Sequence, residues 1–170
     1  MLPAATFDNL QARSFEELHP YFREGTAPSL DEMTGDARGV FLAWNPEASW
    51  LMKVFVRWMF RRWLGKRFFP VQTADPSGHG INLFSDDPTT RYAFQTYLGT
   101  ARMDGAACLI LDYNVQGSLR GLVDDVKKVA EGLVLGQINY KFFWQHAPTF
   151  YLYFTLERKG QRLASEIAAT

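Results

Sequence analysis

The carboxylate of Asp112 stands where acid–base chemistry is possible. It follows the apolar run 108–111, Cys-Leu-Ile-Leu, which is typical of a buried strand. Burial raises the pKa of a carboxyl group, so that it can act as a general base or acid near neutral pH. In a different interpretation, Asp112 accepts hydrogen bonds from the turn that follows it, 114–117. Asp112 is therefore the predicted catalytic residue, with the turn as the alternative.

Polar and aromatic side chains recur on the segments predicted as strands, where they could orient a bound molecule. A pocket lined by aromatic rings with a few polar groups is typical of a small-molecule site. Aromatic residues make up 15% of the chain, with 14 Phe, 7 Tyr and 5 Trp, and a plain aromatic core would use them equally well. The predicted ligand-binding residues on these strands are Trp44, Tyr97, Asn139, Tyr151 and Tyr153.

A basic and aromatic segment over residues 48–64 has the periodicity of an amphipathic helix. Lys53, Arg57 and Arg61 recur at every fourth position and form one stripe. The opposite side is apolar and consists of Leu51, Phe55, Trp58 and Met59. Such a helix suits an anionic membrane surface or the mouth of a barrel, where Arg57 and Arg61 would attract an acidic ligand. The alternative is a helix packed on the core with its basic face in solvent.

The histidine and cysteine residues limit which cofactors the protein could hold. His19, His79 and His146 have no metal-type spacing with another His, Cys or carboxylate. His146 follows the aromatic stretch 143–145 and could be an axial haem ligand or an acid–base group; alternatively it is a rim histidine without a role. Cys108 is the only cysteine, which excludes an intrachain disulfide and a cysteine-based zinc site. We expect no cofactor, with haem bound by His146 as the alternative.

Cap and turn signals divide the chain into short elements. Ser14 with Glu17 and Ser29 with Glu32 match capping boxes, and Pro20 predicts an early end to the first of these helices. Spacings of three and four residues predict an amphipathic helix over 118–131. The predicted strands are 39–44, 80–84, 91–102, 106–113, 133–140 and 149–157, with a hairpin turn at Asp104-Gly105.

The order of these elements predicts the fold class. Short connections between successive strands favour antiparallel pairing. We therefore predict a single α+β domain, mainly antiparallel β, over residues 1–170. Its parts are a helical segment 1–35, a small β-barrel 36–157 with the inserted helix 48–64, and a tail 158–170. A flat sheet with one face in solvent gives the same alternation and is the alternative.

Composition and charge exclude several classes of protein. The chain has 170 residues, of which 47% are apolar and 21% charged, as in a globular domain. Its 18 basic and 18 acidic residues give a formal net charge of zero, so nucleic acid is not an expected partner. The first residues lack the basic and apolar regions of a signal peptide, and Lys53 and Arg57 interrupt the longest apolar stretch, 50–60. We therefore predict a cytoplasmic protein.

The order of several short motifs resembles the bacterial lipocalin-like proteins of the GXWXG and DUF4334 type. In that pattern a glycine-rich opening strand precedes a Leu-Asp-Tyr strand end, an acidic helix, a Gly-Leu-x-Leu-Gly segment and an aromatic strand. The corresponding pieces are 35–39, 111–113, 124–125, 132–136 and 150–154. Ala37 stands in place of the family's tryptophan, and helix 48–64 has no counterpart. The resemblance implies a calycin-like barrel and a hydrophobic ligand, and it assigns no catalytic residue.

The function predicted from these residues is binding of a hydrophobic or amphipathic small molecule, such as a fatty acid or an isoprenoid, in the barrel lumen. The polar side chains on the strands would orient its head. A second hypothesis is a cofactor-free isomerase, cyclase or hydrolase that uses Asp112 and a lumen tyrosine. A third is haem binding through His146. A fourth is a surface-binding module that contacts membranes through helix 48–64.

Overall fold

The computed structural model describes residues 2–70, 77–85, 87–114, 119–141 and 149–158, with the backbone alone at 87–91. These residues form short helices and a set of longer strands. The helices are α1 (Phe7–Gln11), α2 (Phe15–Glu24), α3 (Leu30–Met33) and α4 (Trp50–Met59). The strands are β1 (Gly35–Trp44), β2 (Trp63–Phe68), β3 (Gly78–Phe84), β4 (Asp87–Thr100), β5 (Ala107–Asp112), β6 (Leu122–Ala130), β7 (Leu133–Tyr140) and β8 (Thr149–Glu157).

The strands form a closed antiparallel barrel in the order β1 to β8, each beside the next in sequence. β1 completes the circle by pairing with β8, with Arg38 opposite Glu157 and Phe41 opposite Phe154. Closure leaves no sheet edge unpaired. The predicted fold class, a small lipocalin-like antiparallel barrel with helices, is confirmed, and the flat open sheet is excluded.

The lumen is identified by contacts between strands on opposite sides of the circle. Lys66 of β2 lies 3.2 Å from Asp124 of β6, and three strands separate β2 from β6 in either direction. Their side chains can therefore meet only through the interior. The Lys66 ammonium also lies 5.3 Å from the ring centroid of Phe154 on β8. Because successive side chains of a strand point to opposite faces, the neighbours of Phe154 on β8 face outward.

Helices α1 and α2 cover part of the outer face of the barrel. They bury apolar side chains against the outward-facing residues of β5, β7 and β8. Burying a large apolar side chain contributes about 1.5–3 kcal/mol, so this second core is a substantial part of the stability. Its most buried members are Leu10, Leu18 and Phe22 from the helices and Cys108, Leu135 and Tyr153 from the strands.

The start of α2 is the capping box predicted at Ser14. Ser14 Oγ accepts a hydrogen bond from Glu17 N at 3.3 Å, and Glu17 Oε2 accepts one from Ser14 N at 2.8 Å. The prediction that Pro20 ends this helix early is wrong, because α2 continues beyond it. Tyr21 and Phe22 are buried in the following turn, and their packing offsets the roughly 3 kcal/mol that a proline costs inside a helix.

The predicted helix over residues 48–64 is too long at both ends. α4 spans Trp50–Met59, and β2 begins at Trp63. Gly65, the residue after the predicted helix, lies within β2 at φ +144°. β2 pairs with both β1 and β3, and this pairing overrides the helical periodicity of the segment. No helix among the described residues is long and apolar enough to cross a membrane.

The helix predicted over residues 118–131 is wrong, because Leu122–Ala130 form strand β6 between β5 and β7. Leu122, Asp124 and Val126 alternate into the lumen. Because Asp124 is charged, the apolar residues of this segment do not show the period of two that is typical of a strand. The remaining apolar residues have a helical spacing, and this spacing led to the wrong prediction. The other predicted strands are present, and β7 and β8 have the predicted bounds.

Candidate functional site

Four polar side chains are buried together in the lumen, and we call them the lumen cluster: Lys66, Asn82, Tyr113 and Asp124. Their exposed fractions are 3%, 1%, 1% and 0%, respectively. They come from β2, from β3, from the residue after β5 and from β6. Closure of the barrel, rather than proximity in sequence, brings these side chains together.

The Lys66 ammonium is the central group of the lumen cluster. Its Nζ lies 3.2 Å from Asp124 Oδ2 and donates a hydrogen bond to Asn82 Oδ1 at 3.0 Å. It also donates to the hydroxyl of Tyr113, which in turn donates to Asp124 Oδ2 at 3.2 Å. The cluster therefore pairs one cation with one carboxylate and hydrogen-bonds the cation through neutral groups, as buried charges require.

The amide of Asn82 is fixed by its other partners. Its Nδ2 donates to the backbone oxygen of Tyr92 at 2.9 Å and to the Tyr113 hydroxyl at 3.3 Å. Its Oδ1 accepts from Trp63 Nε1 at 2.9 Å. Because both ends of the amide are engaged, its oxygen is held toward Lys66, and Asn82 positions the ammonium.

Aromatic rings surround the Lys66 ammonium. The face of an aromatic ring attracts a cation while its bulk excludes water. Burial lowers the pKa of Lys66 below its usual 10.5, because desolvation of the ammonium outweighs the attraction of Asp124. The ring centroids within 5.0–5.6 Å of Nζ belong to Trp63, Phe94, Tyr113 and Phe154.

Burial acts on the Asp124 carboxyl in the opposite direction. Desolvation raises its pKa above the usual 3.8, against the attraction of Lys66. The pKa values of the pair thus move toward each other, and transfer of a proton from Lys66 to Asp124 costs less than in water. Asp124 Oδ2 accepts from Lys66 and Tyr113, whereas the buried Oδ1 has no hydrogen-bond partner among the described residues. One carboxylate oxygen is therefore available to a bound molecule.

Two cavities lie along the lumen. The smaller, which we call the deep void, has a volume of about 10 Å³ and is lined in part by Lys66, Tyr113 and Asp124. The larger, which we call the mouth cavity, has a volume of about 250 Å³ and lies against α4. Both are lined by the same three apolar side chains, which separate them: Phe60, Leu122 and Ile138.

The mouth cavity is mainly apolar. α4 supplies Met52, Phe55, Val56 and Met59 to its wall. Arg120 is the one charged residue among the described residues that line it. A mostly apolar chamber with few polar groups is typical of sites for small organic molecules.

Four of the predicted ligand-binding residues lie at the wall of the mouth cavity, against the lumen core or in solvent. Tyr151 lines the mouth cavity, and Trp44 is half-buried against the lumen core. Arg57 is exposed on α4, and Arg61 is exposed in the turn after it. The fifth, His146, lies outside the described residues. Tyr151 is thus the predicted residue that a molecule in the mouth cavity would touch.

Tyr97, Asn139 and Tyr153 face outward, whereas the sequence analysis expected them in the lumen. Tyr153 packs on Phe15 of α2, with ring centroids 5.4 Å apart, and its hydroxyl accepts from Gln137 Nε2 at 3.0 Å. Asn139 is opposite Phe150 in the outer core. The physical reason for the position of Tyr153 is alternation: Leu152, Phe154 and Leu156 of β8 line the lumen, so Tyr153 between them packs under the helices.

Asp112 also lies on the outer face, at the end of β5. Its Oδ1 accepts from Asn114 N at 2.8 Å and from Asn114 Nδ2 at 2.7 Å. Its Oδ2 accepts from the Tyr97 hydroxyl at 3.3 Å. These contacts match the alternative in which Asp112 accepts hydrogen bonds from the turn that follows it. The carboxylate inside the barrel is that of Asp124.

The lumen cluster was not among the sites predicted from the sequence. Lys66 follows Gly65 and has the place of a basic helix end, and Asp124 falls in a segment of apparent helical period. A usable signal is present in β6, where Asp124 lies at strand spacing between Leu122 and Val126. A charged residue flanked in this way by lumen residues indicates a buried ion pair.

Comparisons with known proteins bear on the fold. No family model matches the chain, so the resemblance to the GXWXG and DUF4334 type has no support at the family level. No curated protein matches it either. Among solved structures, the chain is similar to a protein from Thermomonospora curvata, with a TM-score of 0.54 and 18% identity over 85% of this chain and 87% of that chain. A likeness at this identity shows a shared barrel fold.

Proposed function

We propose that the protein binds an apolar or amphipathic small molecule in the mouth cavity, with its polar end toward the lumen cluster. The observation that carries this proposal is the mouth cavity itself, about 250 Å³ of mainly apolar space separated from the buried Lys66–Asp124 pair by three side chains. A fatty-acid-like or isoprenoid-like molecule has both the apolar body and the polar group that this arrangement suits.

The volume of the mouth cavity limits the size of the ligand. A cavity of ~150 Å³ lined by apolar side chains holds benzene, so 250 Å³ corresponds to roughly ten carbon atoms. A medium-chain fatty acid or alcohol, or a monoterpenoid, is of this size. A longer chain would have to extend past Phe55, which is 47% exposed and lies at the cavity wall.

Filling the mouth cavity is expected to weaken ligand binding. Val56 faces the cavity and is 5% exposed, whereas Val54 on the same helix is 56% exposed. Val56→Trp should weaken the binding of decanoic acid and decanol about tenfold or more, a loss of about 1.4 kcal/mol or more, because the indole takes the space of the ligand. Displacement of a fluorescent fatty-acid probe and native mass spectrometry measure this.

The matched control for Val56→Trp is Val54→Trp, which adds the same side chain to the outer side of α4 and should leave affinity unchanged. Circular dichroism of both variants checks that they fold. Equal affinities for the two variants, or no uptake of either ligand by the wild-type protein, would exclude the mouth cavity as the binding site.

A second proposal, that α4 docks on an anionic membrane, rests on the outward side of this helix. Five large apolar side chains face solvent there, and we call them the α4 outer face: Trp50, Leu51, Val54, Phe55 and Trp58, at 69%, 61%, 56%, 47% and 73% exposure. The chain between residues 48 and 70 carries lysines and arginines but no acidic residue. Apolar insertion combined with basic charge favours an anionic lipid surface, and docking there would put the mouth cavity beside a source of apolar ligand.

Removing the tryptophans of the α4 outer face is expected to release the protein from membranes. Wild-type protein should co-sediment with vesicles that contain phosphatidylglycerol and should bind phosphatidylcholine vesicles more weakly. Trp50→Ser with Trp58→Ser should lower binding to the anionic vesicles about tenfold, because the indoles supply apolar burial at the interface. Leu98→Ser is the control, since Leu98 is 64% exposed but lies on β4. A wild-type protein that remains in the supernatant with both vesicle types would refute docking.

A further inference from the structure

We infer that Lys66 is a nucleophilic lysine that forms an imine with an apolar aldehyde or ketone bound in the mouth cavity. This inference rests on the proposed function and deepens it, because it names the carbonyl group as the polar end of the ligand. It also assigns a chemical role to the lumen cluster, which a binding cavity by itself does not require.

The first support is the position of the Lys66 ammonium. Lys66 lines the deep void, and the wall between this void and the mouth cavity consists of the side chains of Phe60, Leu122 and Ile138. The deep void has about 10 Å³, close to the ~10–15 Å³ that one water molecule requires. Because Phe60 lines both spaces, a displacement of its side chain would let the carbonyl end of a chain in the mouth cavity approach Nζ.

The second support is the environment of the ammonium. Lys66 is 3% exposed, and aromatic rings with centroids at 5.0–5.6 Å surround Nζ. Dry apolar surroundings favour the neutral amine, which is the nucleophilic form. Burial lowers the pKa of Lys66 and raises that of Asp124, so the carboxylate 3.2 Å away is a suitable acceptor for the proton.

The third support is the free oxygen of Asp124. In a purely structural ion pair, a buried carboxylate satisfies both oxygens with hydrogen bonds. Here Oδ2 accepts from Lys66 and Tyr113, while Oδ1 is buried without a partner among the residues described. Asp124 lines the deep void. A protonated Oδ1 can therefore donate to a carbonyl oxygen that enters this space.

The reaction balances with the groups of the lumen cluster. Asp124 accepts a proton from the Lys66 ammonium, and the neutral amine adds to the carbonyl carbon. As this bond forms, Asp124 donates its proton to the carbonyl oxygen and takes one from the nitrogen, which gives a neutral carbinolamine and leaves Asp124 protonated. Asp124 returns the proton to the carbinolamine oxygen, which leaves as water as the carbon–nitrogen double bond forms. The net change converts an ammonium and a carbonyl into a protonated imine and one water, with the Asp124 carboxylate as counter-ion. Tyr113 and Asn82, which contact Nζ, are positioning residues.

The test traps the imine in the folded wild-type protein. Decanal is added at neutral pH with sodium cyanoborohydride, and the reduced adduct is located by peptide mass spectrometry. The initial rate at Lys66 should exceed that at the solvent-accessible Lys53 about tenfold or more, because the bound chain holds its carbonyl group close to Nζ of Lys66, whereas Lys53 meets decanal only from solution. The buried Lys127, which pairs with Asp104 at 2.7 Å, serves as a second internal control and should remain unmodified.

Decanol separates failure of the imine from failure of the binding site, because it has the same chain but cannot form an imine. Decanol binding together with an adduct on Lys66 supports the inference. Decanol binding with no adduct, or with adducts spread over surface lysines, overturns it and leaves the proposed function standing. No binding of decanol and no adduct overturns both.

Discussion

Lys66→Met is expected to lower the free energy of unfolding by about 3–5 kcal/mol at neutral pH, because it leaves the Asp124 carboxylate buried without its counter-charge. Asp124 is 0% exposed, and its Oδ2 would keep only the hydrogen bond from Tyr113. Asp124→Asn should have a comparable effect, since it leaves the Lys66 ammonium without a carboxylate. Urea denaturation followed by tryptophan fluorescence measures both.

The two single variants of the buried pair should respond to pH in opposite directions. The Asp124 pKa is raised by burial above 3.8, and more so once Lys66 is gone. The penalty in Lys66→Met is therefore complete at pH values above this folded-state pKa, shrinks as the pH falls through it, and is absent below 3.8, where the carboxyl is neutral in both states. The Lys66 pKa is lowered below 10.5, so the penalty in Asp124→Asn disappears as the pH rises toward 10.5.

The double variant Lys66→Met with Asp124→Asn completes the thermodynamic cycle. Because neither charge remains, the double variant should lose much less free energy of unfolding than the sum of the two single losses. The difference, which is the coupling energy between the two groups, should be about 1–3 kcal/mol. Strictly additive losses, or single variants whose stability is independent of pH, would mean that the two groups do not form an ion pair in the folded protein.

Gly65→Ala is expected to be among the most damaging substitutions in the barrel, with a loss above about 4 kcal/mol or no soluble protein. A Cβ at this position would lie 1.9 Å from the carbonyl oxygen of Ala37 on β1, and φ is +144°. The two strands could accommodate it only by separating at the point where Lys66 enters the lumen. Expression, solubility and thermal unfolding report the effect.

The matched control for Gly65→Ala is Gly105→Ala. Gly105 also has a positive φ, +69°, but a Cβ there would have nothing within 4 Å. Gly105→Ala should lower the free energy of unfolding by about 1–2 kcal/mol, which is the cost of the left-handed backbone conformation alone. If both variants were equally stable, β1 and β2 would not approach each other as closely at Gly65 as the register Arg38 opposite Gly65 implies.

The strands that the sequence predicts well are those whose alternation is strong and whose ends carry turn residues. β7 and β8 have the predicted bounds, and the turn at Asp104-Gly105 separates β4 from β5 as expected. β6 was predicted as a helix, and β2 was not predicted as a strand; each carries a charged side chain, Lys66 or Asp124, at a lumen position. A pattern of hydrophobicity counts these charges as outward, although pairing across the lumen allows them to be buried.

The candidate site is harder to predict than the strands because it depends on which face of the sheet is inside. A shift of the inside face by one residue replaces every lining residue. Tyr97, Asn139 and Tyr153 were expected in the lumen for their polar groups, but the apolar face with Phe154 is the one enclosed. The polar members of the lumen cluster lie far apart in sequence, and no local pattern indicates that Lys66 and Asp124 meet.

The pairing of β1 with β8 has a consequence for how the chain is made. Strands β1 to β7 can form successive hairpins as they leave the ribosome, since each pairs with the next. The circle cannot close until Thr149–Glu157 has been synthesised, because Arg38 and Phe41 have their partners there. Until that moment the nascent sheet has two free edges and an open lumen with the lysine and aspartate in water. Interaction with chaperones, and the risk of aggregation, should therefore be greatest late in translation.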